Sequence, residues 1–137
     1  MGRVINPDSA GKVRTRLSKE IVLALRELMR QQQIDDLSRD LAAFIALALL
    51  EIHKTVDLSV LAWEKRGYWV KADRFRMEWE WTATSGEKMR NAVVADDWGL
   101  VASTAAMIAQ KLIKVQVAPR NRLGEPWLNS WQNLIDE

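Results

Sequence analysis

Few side chains in this sequence are equipped for chemistry. There is no cysteine and one histidine, His53, which excludes disulfides, thiolate metal sites and imidazole clusters. A Ser-His-Asp arrangement would have to use His53, and no serine sits in an elbow motif. The six glycines are scattered, with no Walker A or Rossmann spacing. A hard cation would have to be held by Asp35, Asp36 and Asp40, or by Asp96 and Asp97. Each group falls at the start of an expected helix, where acids ordinarily cap. Glu51 and His53 are two apart and point to different sides of a helix. His53 itself is read as a packing or end-of-helix residue, favoured there by the dipole when charged. The expectation is a non-enzymatic protein, with no catalytic, cofactor-binding or metal-binding residue assigned.

Binding chemistry is better represented. On a helix turning about 100° per residue, Arg16, Lys19, Arg26 and Arg30 all fall within about 40° of Lys12. Val13, Leu17, Ile21, Ala24 and Leu28 cluster on the other side. The basic stripe runs roughly 27 Å at about 1.5 Å per residue, long enough to follow several phosphates. A solvated helix face is the plainer reading, and Glu20, Leu23 and Glu27 dilute the stripe. No RNP motif, zinc finger or helix-turn-helix strengthens it.

Tryptophan is the second signal: seven Trp against two Phe and one Tyr. Trp is enriched at interface hot spots, although Trp63, Trp69, Trp79, Trp81 and Trp98 on expected helices also suit a core. "EKRGYWVKADRFR" interleaves aromatics with Lys65, Arg66, Lys71, Arg74 and Arg76, a composition that single-strand binders use for stacking. The third signal is the tail, where Trp127, Trp131 and Leu134 stand at i, i+4 and i+7, the spacing of a helix laid into an apolar groove.

Those residues must be placed by secondary structure, and helical spacing dominates. Asn6 as N-cap, Pro7 and Asp8 open a helix over about 7–32, in which Gly11 is a weak point. A second, over about 37–54 and capped by Ser38 or Asp36, is apolar all round from Leu41 to Leu50 and so central. A third spans about 58–83, capped by Asp57 or Ser59 and free to bend at Gly67. Its stretch "RFRMEWEWT" (74–82) alternates like a strand, but only "KVQVA" (114–118) could pair with it, and two strands make a marginal sheet. As a helix it carries two ridges. Tyr68, Ala72, Phe75 and Trp79 form one; Trp63, Val70, Met77 and Trp81 form the other, roughly opposite. Its ion pairs would be Arg74–Glu78 and Arg76–Glu80. The helix is preferred, and it must contact two different things.

A fourth helix over about 97–117 shows an a/d seam of Trp98, Val101, Ala105, Ile108, Leu112 and Val115, capped by Asp96 or Asp97. "APRNRLGEP" is a loop, and 126–135 forms a short amphipathic helix. The expected architecture is all-α: one domain, an antiparallel bundle of about four helices with that C-terminal helix added.

Composition agrees. At 137 residues, with 48% apolar and 28% charged, the chain can bury a core. The net charge is only +2, but residues 1–30 carry seven Lys/Arg against three Asp/Glu, so the basic excess is local. The start "MGRVINPDS" has no apolar h-region. The longest apolar run, 41–50, is far short of the roughly 17–25 residues of a membrane span. A soluble cytoplasmic protein is expected. The favoured function is a protein–protein interaction module (adaptor, accessory subunit or self-associating protein), with Trp79, Trp81, Trp127, Trp131 and Leu134 as contact residues. The alternative is a nucleic-acid-binding accessory protein using Lys12, Arg16, Lys19, Arg26 and Arg30.

Overall fold

Thr55, Val56 and Val60 decide the architecture. All three are buried, and they carry one helix straight through the point where the sequence suggests a break. The Thr55 hydroxyl donates to the Ile52 carbonyl at 2.6 Å, so its polar group is satisfied within the helix. In the computed structural model, which describes residues 7–137, the elements are α1 (Pro7–Arg30), α2 (Asp36–Lys65), α3 (Trp69–Trp79), α4 (Trp81–Val94), α5 (Trp98–Lys111) and α6 (Ser130–Ile135). The fold is an all-α bundle, and no strand occurs among the described residues. The expected cap Asn6 lies outside them.

α2 is the axis. Leu41 to Ala46, Ala48, Leu49, Ile52, Val56 and Val60 are buried along it. α1 packs on it, and so do α3, α4 and α6, while α5 packs on α4 and touches α1. The helices expected over about 37–54 and 58–83 are therefore joined across 55–57, and the second is divided after Lys65. His53 stands inside α2 and not at its end, so the dipole argument for it falls away.

Two turns explain where the chain reverses. Beyond α2, Tyr68 N–H bonds the Trp63 carbonyl at 2.9 Å and Gly67 N–H bonds the Glu64 carbonyl at 3.0 Å, with Gly67 at φ +79°. This is a Schellman stop, in which glycine takes the left-handed position without a Cβ clash. The same pattern ends α4. Asp97 N–H bonds Ala92 and Asp96 N–H bonds Val93, with Asp96 itself at φ +56°.

The stretch 74–82 is helical, interrupted only at Glu80. There the Thr82 hydroxyl donates to the Trp79 carbonyl at 2.7 Å, the kind of side-chain back-bond that bends a helix. α4 then continues to Val94, well past the expected end near 83. Gly86 lets it approach α2, since a Cβ there would stand 3.0 Å from Leu50 Cγ and 3.2 Å from Leu49 Cβ.

α5 buries Val101, Ala105 and Ile108 of the expected seam, with Leu112 buried just past its end, but it stops at Lys111 instead of running to about 117. Ile113, Val115 and Val117 are β-branched and weaken helix continuation.

Candidate interaction surfaces

The first site is built around α3. Its inner side carries Ala72, which is buried, with Phe75 and Trp79 half-buried against the core. Trp63 of α2 meets Phe75 edge to face, centroids 4.9 Å apart at 82°. Trp79 stacks on Trp81 at 6.4 Å and 21°. Arg14 reaches in from α1: its guanidinium lies 4.7 Å from the Phe75 centroid and 5.7 Å from that of Trp79. It also donates to the Thr55 hydroxyl at 3.2 Å. Burial holds the Arg14 pKa below its ordinary value, while the negative charge of Glu78 pulls it back up. The cation is thus kept in place by ring faces and one hydrogen bond, a cation–π arrangement joining three helices.

The outer side of α3 is different. Val70 is 66% exposed and Met77 is 74% exposed. They share a ridge on the side of the helix opposite Trp79. Trp69, at 60%, stands on one flank. Lys71 and Glu78 stand on the other. Lys71 lies 4.7 Å over the Trp63 ring. Arg76 is committed inward and sideways, to Glu64 at 3.2 Å and Asp73 at 2.8 Å, and those carboxylates hold its pKa above the usual arginine value. The i,i+4 pairs expected from sequence, Arg74–Glu78 and Arg76–Glu80, are not the ones formed. Between Trp69 and Phe75 an open groove of about 750 Å³ runs along α3, with Lys71 and Arg74 on its rim.

The second surface is the outer face of α1. Lys12, Arg16, Arg26 and Arg30 are exposed and Lys19 is half-exposed. Arg16 stands 3.8 Å from Glu20, and Arg30 stands 2.8 Å from Glu27. Lys12, Lys19 and Arg26 have no ion pair among the described residues. The segment after α5 comes back along this face. Leu123 closes a cleft of about 440 Å³ with Lys12, Arg16 and Lys19. Asn121 and Glu125 line a second cleft, about 410 Å³, with Arg26 and Arg30.

The remaining candidates are used inside the chain. Trp127 and Leu134 are buried and Trp131 is half-buried, all packed on the core. Asp40 fixes this tail, its carboxylate accepting from the backbone N–H of Trp131 at 2.9 Å and of Asn129 at 3.3 Å. Trp79 and Trp81, chosen from sequence as contacts, also pack inward, and the exposed apolar side chains of α3 are Trp69, Val70 and Met77.

The acids that might have held a cation have structural tasks. Asp35, and not Asp36 or Ser38, caps α2 in a reciprocal box with Ser38. The Ser38 N–H holds the Asp35 carboxyl below its ordinary pKa. Asp97 caps α5 by accepting from Leu100 N–H at 3.1 Å, and Asp96 accepts from Trp98 Nε1–H at 2.6 Å. No group of three or more potential metal ligands occurs among the described residues. His53 Nε2 lies 3.5 Å from Asp57, and its Nδ1 is buried without a hydrogen-bond partner among them. No described helix is long and apolar enough to cross a membrane.

No protein-family model, curated protein or solved structure matches this chain. A functional reading therefore rests on these surfaces alone.

Arg14 is the residue that sequence reasoning missed. It falls outside the basic stripe, at about 200° from Lys12 on the helix, and that displacement toward the apolar side was the available signal. Val70 and Met77 were visible as a ridge opposite Phe75 and Trp79, although the larger Trp side chains drew the choice of contacts.

Proposed function

We propose that this protein is a non-enzymatic helical interaction module that self-associates through the outer ridge of α3. The observation that carries this reading is the exposure of Val70 and Met77 on a helix whose opposite side is anchored on α2. A contiguous exposed apolar patch is a mark of an interaction site.

A second copy is the occupant that the charges favour. Let two α3 helices cross antiparallel, with the two-fold axis between Asp73 and Arg74. Val70 of each copy then meets Met77 of the other, while Arg74 and Asp73, on opposite flanks, each face their own copy near the axis. In an antiparallel pair each flank faces its own reversed image, so Lys71 of one copy lies near Glu78 of the other, twice. The Val70–Met77 ridge and the Lys71–Glu78 flank are self-complementary in the sense that a two-fold interface requires. A uniformly acidic partner would oppose Glu78, and a uniformly basic one Lys71, with like charge.

Sizing with light scattering tests this. The wild type should approach twice the monomer mass of 15.7 kDa as its concentration rises. Val70→Asp with Met77→Asp should stay monomeric with an unchanged helical circular dichroism spectrum. Lys71→Glu should weaken the dimer, and Lys71→Glu/Glu78→Lys should restore it. A wild type that remains monomeric at the highest concentration it tolerates refutes the reading, as does a charge swap that fails to rescue.

A further inference from the structure

The α3 ridge leaves the basic face of α1 unexplained, and that face differs from an ordinary solvated one. Lys12, Arg16, Lys19, Leu23, Arg26 and Arg30 step 4, 3, 4, 3, 4, so five cations and one leucine form a straight seam. Leu23 is half-buried and packed on the core, which leaves the exposed part of the seam mainly cationic. Glu20 is buried beside it. Glu27, held by Arg30, and Glu125 also border it among the described residues.

The returning segment adds to the seam. Asn121 lines one cleft and Leu123 the other, so the backbone of Arg120 and Arg122 passes along the same face. Both are exposed and have no ion pair among the described residues. The face therefore presents Lys12, Lys19 and Arg26, with Arg120 and Arg122 on the segment beside them, as cations with no ion pair among the described residues, in a protein whose net charge is only +2.

We infer that this face binds the phosphodiester backbone of a nucleic acid. Cations in single file along a rigid helix suit a linear polyanion with regular charge. At about 3.4 Å of axis per phosphate on each strand, the roughly 27 Å seam passes on the order of eight phosphates. An anionic membrane is disfavoured, because surface-seated helices insert prominently exposed aromatic or aliphatic side chains beside their cations, whereas Leu23 is half-buried on the core and Leu37 only 37% exposed. The contacts reach phosphate and not base edges, so binding is independent of sequence.

Fluorescence anisotropy on the full chain tests the inference. The probes are labelled single-stranded RNA, single-stranded DNA and duplex DNA of roughly 20 nucleotides, with polyglutamate and phosphatidylserine vesicles as comparison arms. The result expected is binding at about 50 mM salt, with affinity falling by about two orders of magnitude toward 200 mM, as five neutralised phosphates require.

Lys12→Glu/Lys19→Glu/Arg26→Glu should lower affinity at least about 100-fold, given three lost contacts and three new repulsions. Arg120→Glu/Arg122→Glu should lower it less. Lys111→Glu/Lys114→Glu, a matched charge change elsewhere, should leave it within a few-fold. Circular dichroism and sizing establish that each variant is folded. The inference is overturned if no probe binds near 50 mM salt, if the Lys111/Lys114 variant loses as much as the seam variant, or if polyglutamate or vesicles bind as tightly as nucleic acid. Because the α3 variants leave this face intact, loss of self-association and loss of polyanion binding are separately readable.

Discussion

Replacing Arg14 with alanine should destabilise the protein through three helices at once. The guanidinium sits over Phe75 at 4.7 Å and Trp79 at 5.7 Å, and half-exposed cation–π contacts contribute about 0.5–1 kcal/mol each. The bond to Thr55, at 3.2 Å, has a charged donor and contributes about 1–1.5 kcal/mol at such a partly solvated site. Two terms oppose these. The desolvation that lowers the Arg14 pKa is relieved when the charge is removed. Thr55 is left satisfied, because its hydroxyl still donates to Ile52. The net expectation is a loss of about 1–2.5 kcal/mol, or a fall in Tm of roughly 3–10 °C for a domain of this size.

Thermal and urea denaturation followed by circular dichroism provide the measurement, and a double-mutant cycle with Phe75→Leu isolates the ring contact. The cycle should return a coupling of about 0.5–1 kcal/mol. Arg14→Met, which keeps the aliphatic stem against the rings, should recover part of the loss but none of the coupling. An Arg14→Ala protein within about 0.5 kcal/mol of wild type, or a cycle with no coupling, would refute the account of Arg14 as the joint between α1, α2 and α3.

Two further substitutions probe other contacts. Gly86→Val should cost about 1–3 kcal/mol by urea denaturation, because the new Cβ would stand 3.2 Å from the Cβ of Leu49, a backbone-fixed atom; equal stability would mean that α4 is free to move off α2. Asp40→Ala should release the tail, raising amide hydrogen exchange at Asn129 and Trp131, whose N–H groups lose their carboxylate acceptor, while exchange in the middle of α2 stays slow; unchanged exchange at 128–135 would mean that Trp127 and Leu134 alone hold the tail.

The helical class was legible because the apolar period is strong wherever a helix has one buried side, as at Val101, Ala105, Ile108 and Leu112. Boundaries were less so, for physical reasons. "HKTVDLS" looks like a break, since Thr, Asp and Ser compete with helix locally, yet tertiary burial of Thr55 and Val56 overrides that preference. The expected third helix ended near 83, although Ser85 and Gly86 lie inside α4 and are buried there with Thr82. They are the small side chains that allow α4 to lie close on α2. The cap of α2 was misplaced by one residue for a similar reason: Asp35, Asp36 and Ser38 all suit caps, and only three-dimensional reciprocity between Asp35 and Ser38 distinguishes them. The contact surfaces were partly legible. The α1 seam could be read from spacing alone, but its extension by Arg120 and Arg122 depends on the path of a loop that local sequence does not determine.

The two proposed surfaces have a defined relation. Arg14 joins α1 to the inner side of α3 at Phe75 and Trp79. The basic seam begins at Lys12, on the far side of α1 from Arg14, and the Val70–Met77 ridge lies on the far side of α3 from Trp79. Both surfaces therefore face away from the same joint, and occupation of one leaves the other open. A two-fold pair formed through α3 would carry its two basic seams on the outer sides of the dimer. One short polyanion would then engage one seam, and a chain long enough to reach around the dimer would engage both. For such a chain the second contact is intramolecular and is governed by effective concentration. Self-association on this geometry is not an alternative to polyanion binding but a means of strengthening it. The rigidity of the Arg14 joint sets how well the two seams hold their relative positions.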